Sequence, residues 1–71
     1  MSDTVFIATL IKMRNRHLEN LADLQFVVGH GLDVKHITDS LGDPAFFERR
    51  VRQEEDAVAM LDKAIDLLRH H

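Results

Sequence analysis

The sequence has no cysteine, tryptophan or tyrosine, and only one proline. Without cysteine there can be no disulfide and no thiolate metal site. A chain of 71 residues lies near the lower limit for burying its own core. With no covalent staple available, self-association is the expected way to complete that core. Long apolar runs are missing too. The longest, Val5 to Ile11, is interrupted by Thr9, far short of the roughly 20 residues a membrane span requires. The acidic Asp3 ahead of it is wrong for a secretory signal, which opens on positive charge. A cytoplasmic setting with no membrane contact is therefore expected. The net charge of −3 offers no general attraction to nucleic acid or anionic lipid, although local basic patches can still form. His70 and His71 suit a native end or a purification tag equally, and carry no functional reading.

Apolar residues make up 45% of the chain and charged residues 30%, a balance that belongs to a soluble, folded protein. Their spacing is helical. Phe6, Leu10, Met13, Leu24 and Val27 step by four and three through His17 and Asn20. A second row, Ile7, Ile11, Leu18, Leu21 and Val28, runs beside the first. Ser2 or Asp3 can cap the start, and Gly29 and Gly31 are natural stops. The alternative reading makes TVFIATLI a strand, since Thr, Val, Phe and Ile favour a pleated surface. It lacks a partner strand to pair its backbone groups.

Asp43-Pro44 reads as a second helix start, with aspartate as cap and proline at the first helical position. From there Phe47, Val51, Glu54, Val58, Leu61, Ile65 and Leu68 keep the four-three step, and Glu54 alone breaks the apolar row. Between the two long segments, Asp33 is a possible cap for a short helix bearing Val34, Ile37 and Leu41 on one side. Gly42 then frees the chain to turn. The expectation is an all-α fold over residues 1–71, a single helical-hairpin domain. Its helices fall at about residues 3–29, 33–41 and 44–70, with the two long ones antiparallel.

Both long helices are apolar over more than one seam. Ile7, Ile11, Leu18 and Leu21 widen the stripe on the first; Phe46, Met60 and Leu67 widen it on the last, with Ala57 and Ala64 between. A lone hairpin leaves such flanks in water, and large exposed apolar patches mark interaction surfaces. A homodimer forming a two-fold four-helix bundle is the simplest solution, with a groove for a different protein partner as the rival. The residues expected at the dimer or partner surface are Phe46, Arg49, Arg50, Met60 and Leu67, with Ile11 and Leu18 across the seam.

Three constellations could carry chemistry. His17, Asn20 and Glu54 fall together if the hairpin aligns Val28 with Phe47. The structural reading is a buried polar layer that fixes register at a cost in stability. The functional reading is a zinc or iron site built from two copies, chemically acceptable but without the Glu-x-x-His spacing of di-iron bundles. Second, GHGLDVKHITDSLGDP repeats His30, Asp33, His36 and Asp39 every third residue. On a helix such residues drift around the surface instead of converging on one ion. Third, Lys12, Arg14 and Arg16 cluster on the first long helix, and Arg49, Arg50 and Arg52 on the last. Small helical-hairpin dimers can bind RNA through such faces, and the layout is similar in architecture to the plasmid copy-number RNA-binding bundle, without a shared motif. The acidic neighbours Glu48, Glu54, Glu55 and Asp56 argue against nucleic acid. No nucleophile-elbow context surrounds Ser2 or Ser40, so no triad is indicated. The expected function is a non-enzymatic protein-interaction module, a self-associating regulator, adaptor or inhibitor, with no metal and no cofactor.

Overall fold

A computed structural model describes residues 2–70 as three helices, α1 (Ser2–Val28), α2 (Gly31–Leu41) and α3 (Phe46–Arg69). The side chain of Ser2 and all of His71 lie outside that description, and with them the expected Ser2 cap and the last histidine. No strand occurs among the described residues. TVFIATLI is helical, which corrects the strand alternative. A helix satisfies each backbone group within its own segment, and Thr9 adds a hydroxyl bond back to the Val5 carbonyl at 2.8 Å.

Helices α1 and α3 pack side by side and antiparallel, while α2 touches α1 near one end. The chain measures 50 × 15 × 14 Å, a rod two helices thick. The expected row on α3 lies against α1: Phe47, Val51, Val58, Leu61 and Leu68 are half-buried, and Glu54 and Ile65 are buried. On α1 the seam keeps Leu10, His17, Leu24 and Val27 of the expected row but is rotated part-way, exchanging Phe6, Met13 and Asn20 for Ile7, Arg14 and Leu21. Ile7, Leu10, Arg14, His17, Leu21, Leu24 and Val27 are half-buried, whereas Phe6, Met13 and Asn20 are exposed. The two candidate rows of α1 are nearly equal in hydrophobicity, so its own sequence does not choose between them. The partner helix does. This rotation brings Arg14 within 3.0 Å of Asp62 on α3 while keeping His17 in the seam.

The joints also differ from expectation. Neither Gly29 nor Gly31 adopts a left-handed conformation; Gly42 is the one described residue with positive φ, at 67°. Past Val28 the chain turns through backbone bonds from Gly29 to Gln25 and from His30 to Val27. His30, not Asp33, is the residue preceding α2, and no side chain caps that helix. Asp33 sits in its first turn, where negative charge favours the helix dipole. Helix α2 ends in a Schellman arrangement: the Gly42 amide donates to Asp39 and the Asp43 amide to Thr38. Its inner side carries Val34 and buried Thr38, whose hydroxyl donates to the carbonyls of Val34 and Lys35. Ile37 and Leu41, expected on that side, are exposed. Pro44 does not open α3. Phe46 donates to the Asp43 carbonyl across Pro44-Ala45, which makes Pro44 the second residue of a turn, a position its fixed φ suits. Ala45 then precedes α3 with no side-chain cap.

Among the described residues Ile65, 3% exposed, is the one fully buried apolar side chain. A folded monomer of 8.2 kDa exposes roughly 4,500 Å², but this chain exposes 5610 Å². Exposed apolar side chains include Phe6, Phe26, Leu32, Met60 and Leu67. None of the described helices is long and apolar enough to cross a membrane.

Two glycine substitutions separate the joints. Gly42→Ala forces a Cβ into left-handed backbone and is expected to destabilise by about 1–2 kcal/mol. Gly31→Ala meets open space at the start of α2 and is expected to stabilise by about 0.4–1 kcal/mol. Urea unfolding at fixed protein concentration reads both.

Candidate functional site

The most developed polar arrangement surrounds Glu54, halfway along α3. The row of α3 that faces α1 must pass through this position, so its carboxylate is carried into the seam and left only 4% exposed. A buried carboxylate is tolerated where each oxygen finds a partner. One turn earlier on α3, Arg50 reaches back, and its Nη2 donates to Glu54 Oε1 at 3.0 Å. Across the seam His17 lies 2.5 Å away, Nδ1 to Oε2. An ionised carboxylate only accepts, so His17 Nδ1 carries the hydrogen. Arg50 is steadied in turn by donating to Gln53 Oε1 at 2.8 Å. Asn20, exposed on α1, is near enough to favour the ionised carboxylate as well.

Together these partners hold the Glu54 carboxyl below its ordinary value of 4.5. The His17 hydrogen bond contributes most. Burial opposes it, and the electrostatic attraction of His17 and of Arg50 reinforces it, followed by Asn20. The group is a closed circuit: both carboxylate oxygens have partners within the chain. A metal ion would have to displace His17 or Arg50 to reach them. Among the described residues no three histidine, aspartate or glutamate side chains gather where they could hold a metal.

A second polar contact crosses the seam nearby. Arg14 Nη1 donates to Asp62 Oδ1 at 3.0 Å, and its Nη2 to Asn15 Oδ1 at 3.3 Å. Arg14 Nε is buried without a partner. Neither Arg14 in the seam nor Arg50 on Glu54 was anticipated. The signals were present: Arg14 stands seven residues from both Ile7 and Leu21, and Arg50 four before Glu54, each a same-face spacing.

The arginines expected at a partner surface are engaged within the chain. Arg49 pairs with Asp43 at the turn before α3, and its hydrogen bond is the main reason the Asp43 carboxyl is lowered. The four residues of the three-residue rhythm do not converge. His30 Nδ1 donates to the Phe26 carbonyl at 3.0 Å and its ring lies 4.7 Å from that of Phe26. Asp39 accepts from Lys35 at 2.9 Å along α2.

The expected interface residues do not share one face. By the seven-residue repeat, Ile11 and Leu18 lie on the flank where Arg14 reaches Asp62. Phe46, Met60 and Leu67 lie on the other flank, where Arg50 meets Glu54. Met60 and Leu67 are 69% and 66% exposed. The surface concavities are open grooves, one beside Arg14 and Asp62 and another along Ala8, Ile11 and Asn15.

No protein-family model, no curated protein and no solved structure matches this chain.

Acidification tests the Glu54 circuit. Because its folded-state value is depressed, the carboxylate stabilises the fold above about pH 4.5, and that stabilisation is lost as pH falls through the folded value. Glu54→Gln is expected to flatten this acid limb in urea midpoints taken from pH 7 to pH 3. Removing the donor with His17→Ala is expected to cost about 1–3 kcal/mol at pH 7.

Proposed function

We propose that this chain is a non-enzymatic protein-interaction module, acting in the cytoplasm as a self-associating regulator, adaptor or inhibitor of a larger protein. The observation that carries the reading is apolar surface left without a partner along both flanks of the rod. A two-helix rod with one fully buried apolar residue gains most by covering those flanks, and a homodimeric four-helix bundle does so economically. Catalysis finds less support, since these concavities are open grooves and Glu54, the one buried carboxylate among the described residues, is already engaged.

The proximity of His17 and Glu54 favours one other reading, a metal-binding bundle. It requires the circuit to open and a second chain to add ligands. RNA binding through Arg49, Arg50 and Arg52 is weakened by the intrachain pairing of the first two.

Untagged capture from the native cell with mass spectrometry is the test. A macromolecular partner retained by the wild type and lost on Leu18→Glu or on Met60→Glu with Leu67→Glu is expected. Retention of RNA alone, weakening steeply with salt, would favour the nucleic-acid reading instead. Elemental analysis of the untagged protein is expected to return substoichiometric zinc and iron; a stoichiometric ion would establish the metal reading.

A further inference from the structure

The two flanks of the rod are not equivalent, and the difference points to where a second copy sits. On the first flank Ile11 and Leu18 of α1 stand beside Glu48, Glu55, Asp62 and Asp66 of α3, set against Arg52, Arg69 and Arg14, which pairs with Asp62. A two-fold interface sets a surface against itself, and covering this flank would desolvate many more charged groups than covering the other. On the other flank, Phe6, Met13 and Val27 of α1 stand beside Phe46, Met60 and Leu67 of α3. Ala57 and Ala64 lie between the two rows, small enough to let helices approach closely. The charges in the middle of this flank, Arg50 and Glu54, already neutralise each other at 3.0 Å.

We propose that a second copy of this chain covers the flank bearing Met60 and Leu67, placing the His17–Glu54–Arg50 circuit at the waist of a two-fold four-helix bundle. The proposal rests on the self-association read above and names the face. Three observations carry it. The chain exposes about 1,100 Å² more than the roughly 4,500 Å² of a folded monomer of its mass, and a standard interface removes about 800 Å² per partner. Exposed Phe6, Met13, Met60 and Leu67 cover one half of this flank, and half-buried Val27 and Phe46 continue it past Asn20, Arg50 and Gln53 toward the other end. His17 and Ala57 fall near its midpoint, and a two-fold axis there brings the two circuits side by side. Covering them is tolerable because each carboxylate already has its donors. The charged flank bearing Arg14 and Asp62 and the end of the rod near α2 stay free for a different partner.

Sedimentation equilibrium on the full chain, from low to high micromolar, is the test. The wild type is expected at the mass of two chains. Met60→Glu combined with Leu67→Glu is expected to weaken self-association roughly thirtyfold or more, the loss typical of a hot-spot side chain. Leu18→Glu on the other flank should leave it in place. A wild type that stays at one chain overturns the proposal, and so does dissociation by Leu18→Glu but not by the double variant. Should the double variant lose helical circular dichroism, single cysteines decide. The chain has none of its own, so a short bis-maleimide should link Met60→Cys into dimers and leave Leu18→Cys unlinked. The opposite pattern overturns the face assignment. The mass measurement stands apart from partner capture: two chains with nothing captured removes the partner reading alone, whereas one chain with a partner captured removes this proposal alone.

Discussion

Two helices laid side by side can hide only the stripe along which they touch. In this chain that stripe is narrower than the apolar surface the two helices carry. Everything distinctive about the rod follows from the mismatch. Ile65 is fully buried, but Phe6, Met60 and Leu67 stand in water. The molecule is long and thin, so its surface is large for its mass. The short α2 packs against α1 near one end and cannot cover the flanks. A chain without cysteine has no covalent means of compensating.

Within the stripe, polar residues do a job that apolar ones cannot. Leucine and valine pack against each other in several registers with little difference in energy. Arg14 against Asp62, and His17 against Glu54, match in only one. Such groups add little net stability, because desolvation offsets much of the attraction. Their value lies in discrimination: slide or rotate α1 by one residue and the buried Glu54 carboxylate loses the donor on its Oε2. Arg14 shows how far this goes, since a charged residue is drawn into the seam while Met13 is turned out of it.

The joints use local chemistry of a different kind. His30 closes the end of α1 through a ring bond to the Phe26 carbonyl. Gly42 supplies the left-handed residue that ends α2, and Asp43 ties the following turn to Arg49. Each contact spans six residues or fewer. They set where the chain bends, and the seam sets how the long helices meet.

Much of this was legible in the sequence, and the limits have a physical origin. Helix existence and type follow from spacing alone, because periodicity is a property of one segment. The row on α3 was therefore readable from Phe47 to Leu68, as was the nearness of His17 to Glu54 once two seams were aligned. Gly42 was readable as a turn from glycine's freedom of backbone. The face of α1 that meets α3 was not readable. Its two apolar rows are adjacent and alike, and the choice between them depends on acids more than thirty residues away. Pro44 misled for a related reason, since aspartate-proline suits a turn as well as a helix start. The division of Ile11 and Leu18 from Met60 and Leu67 is likewise a tertiary fact. A flank is defined only when two helices are placed together, so sequence by itself determined the helices and their apolar excess, and packing alone decided which residues share a side.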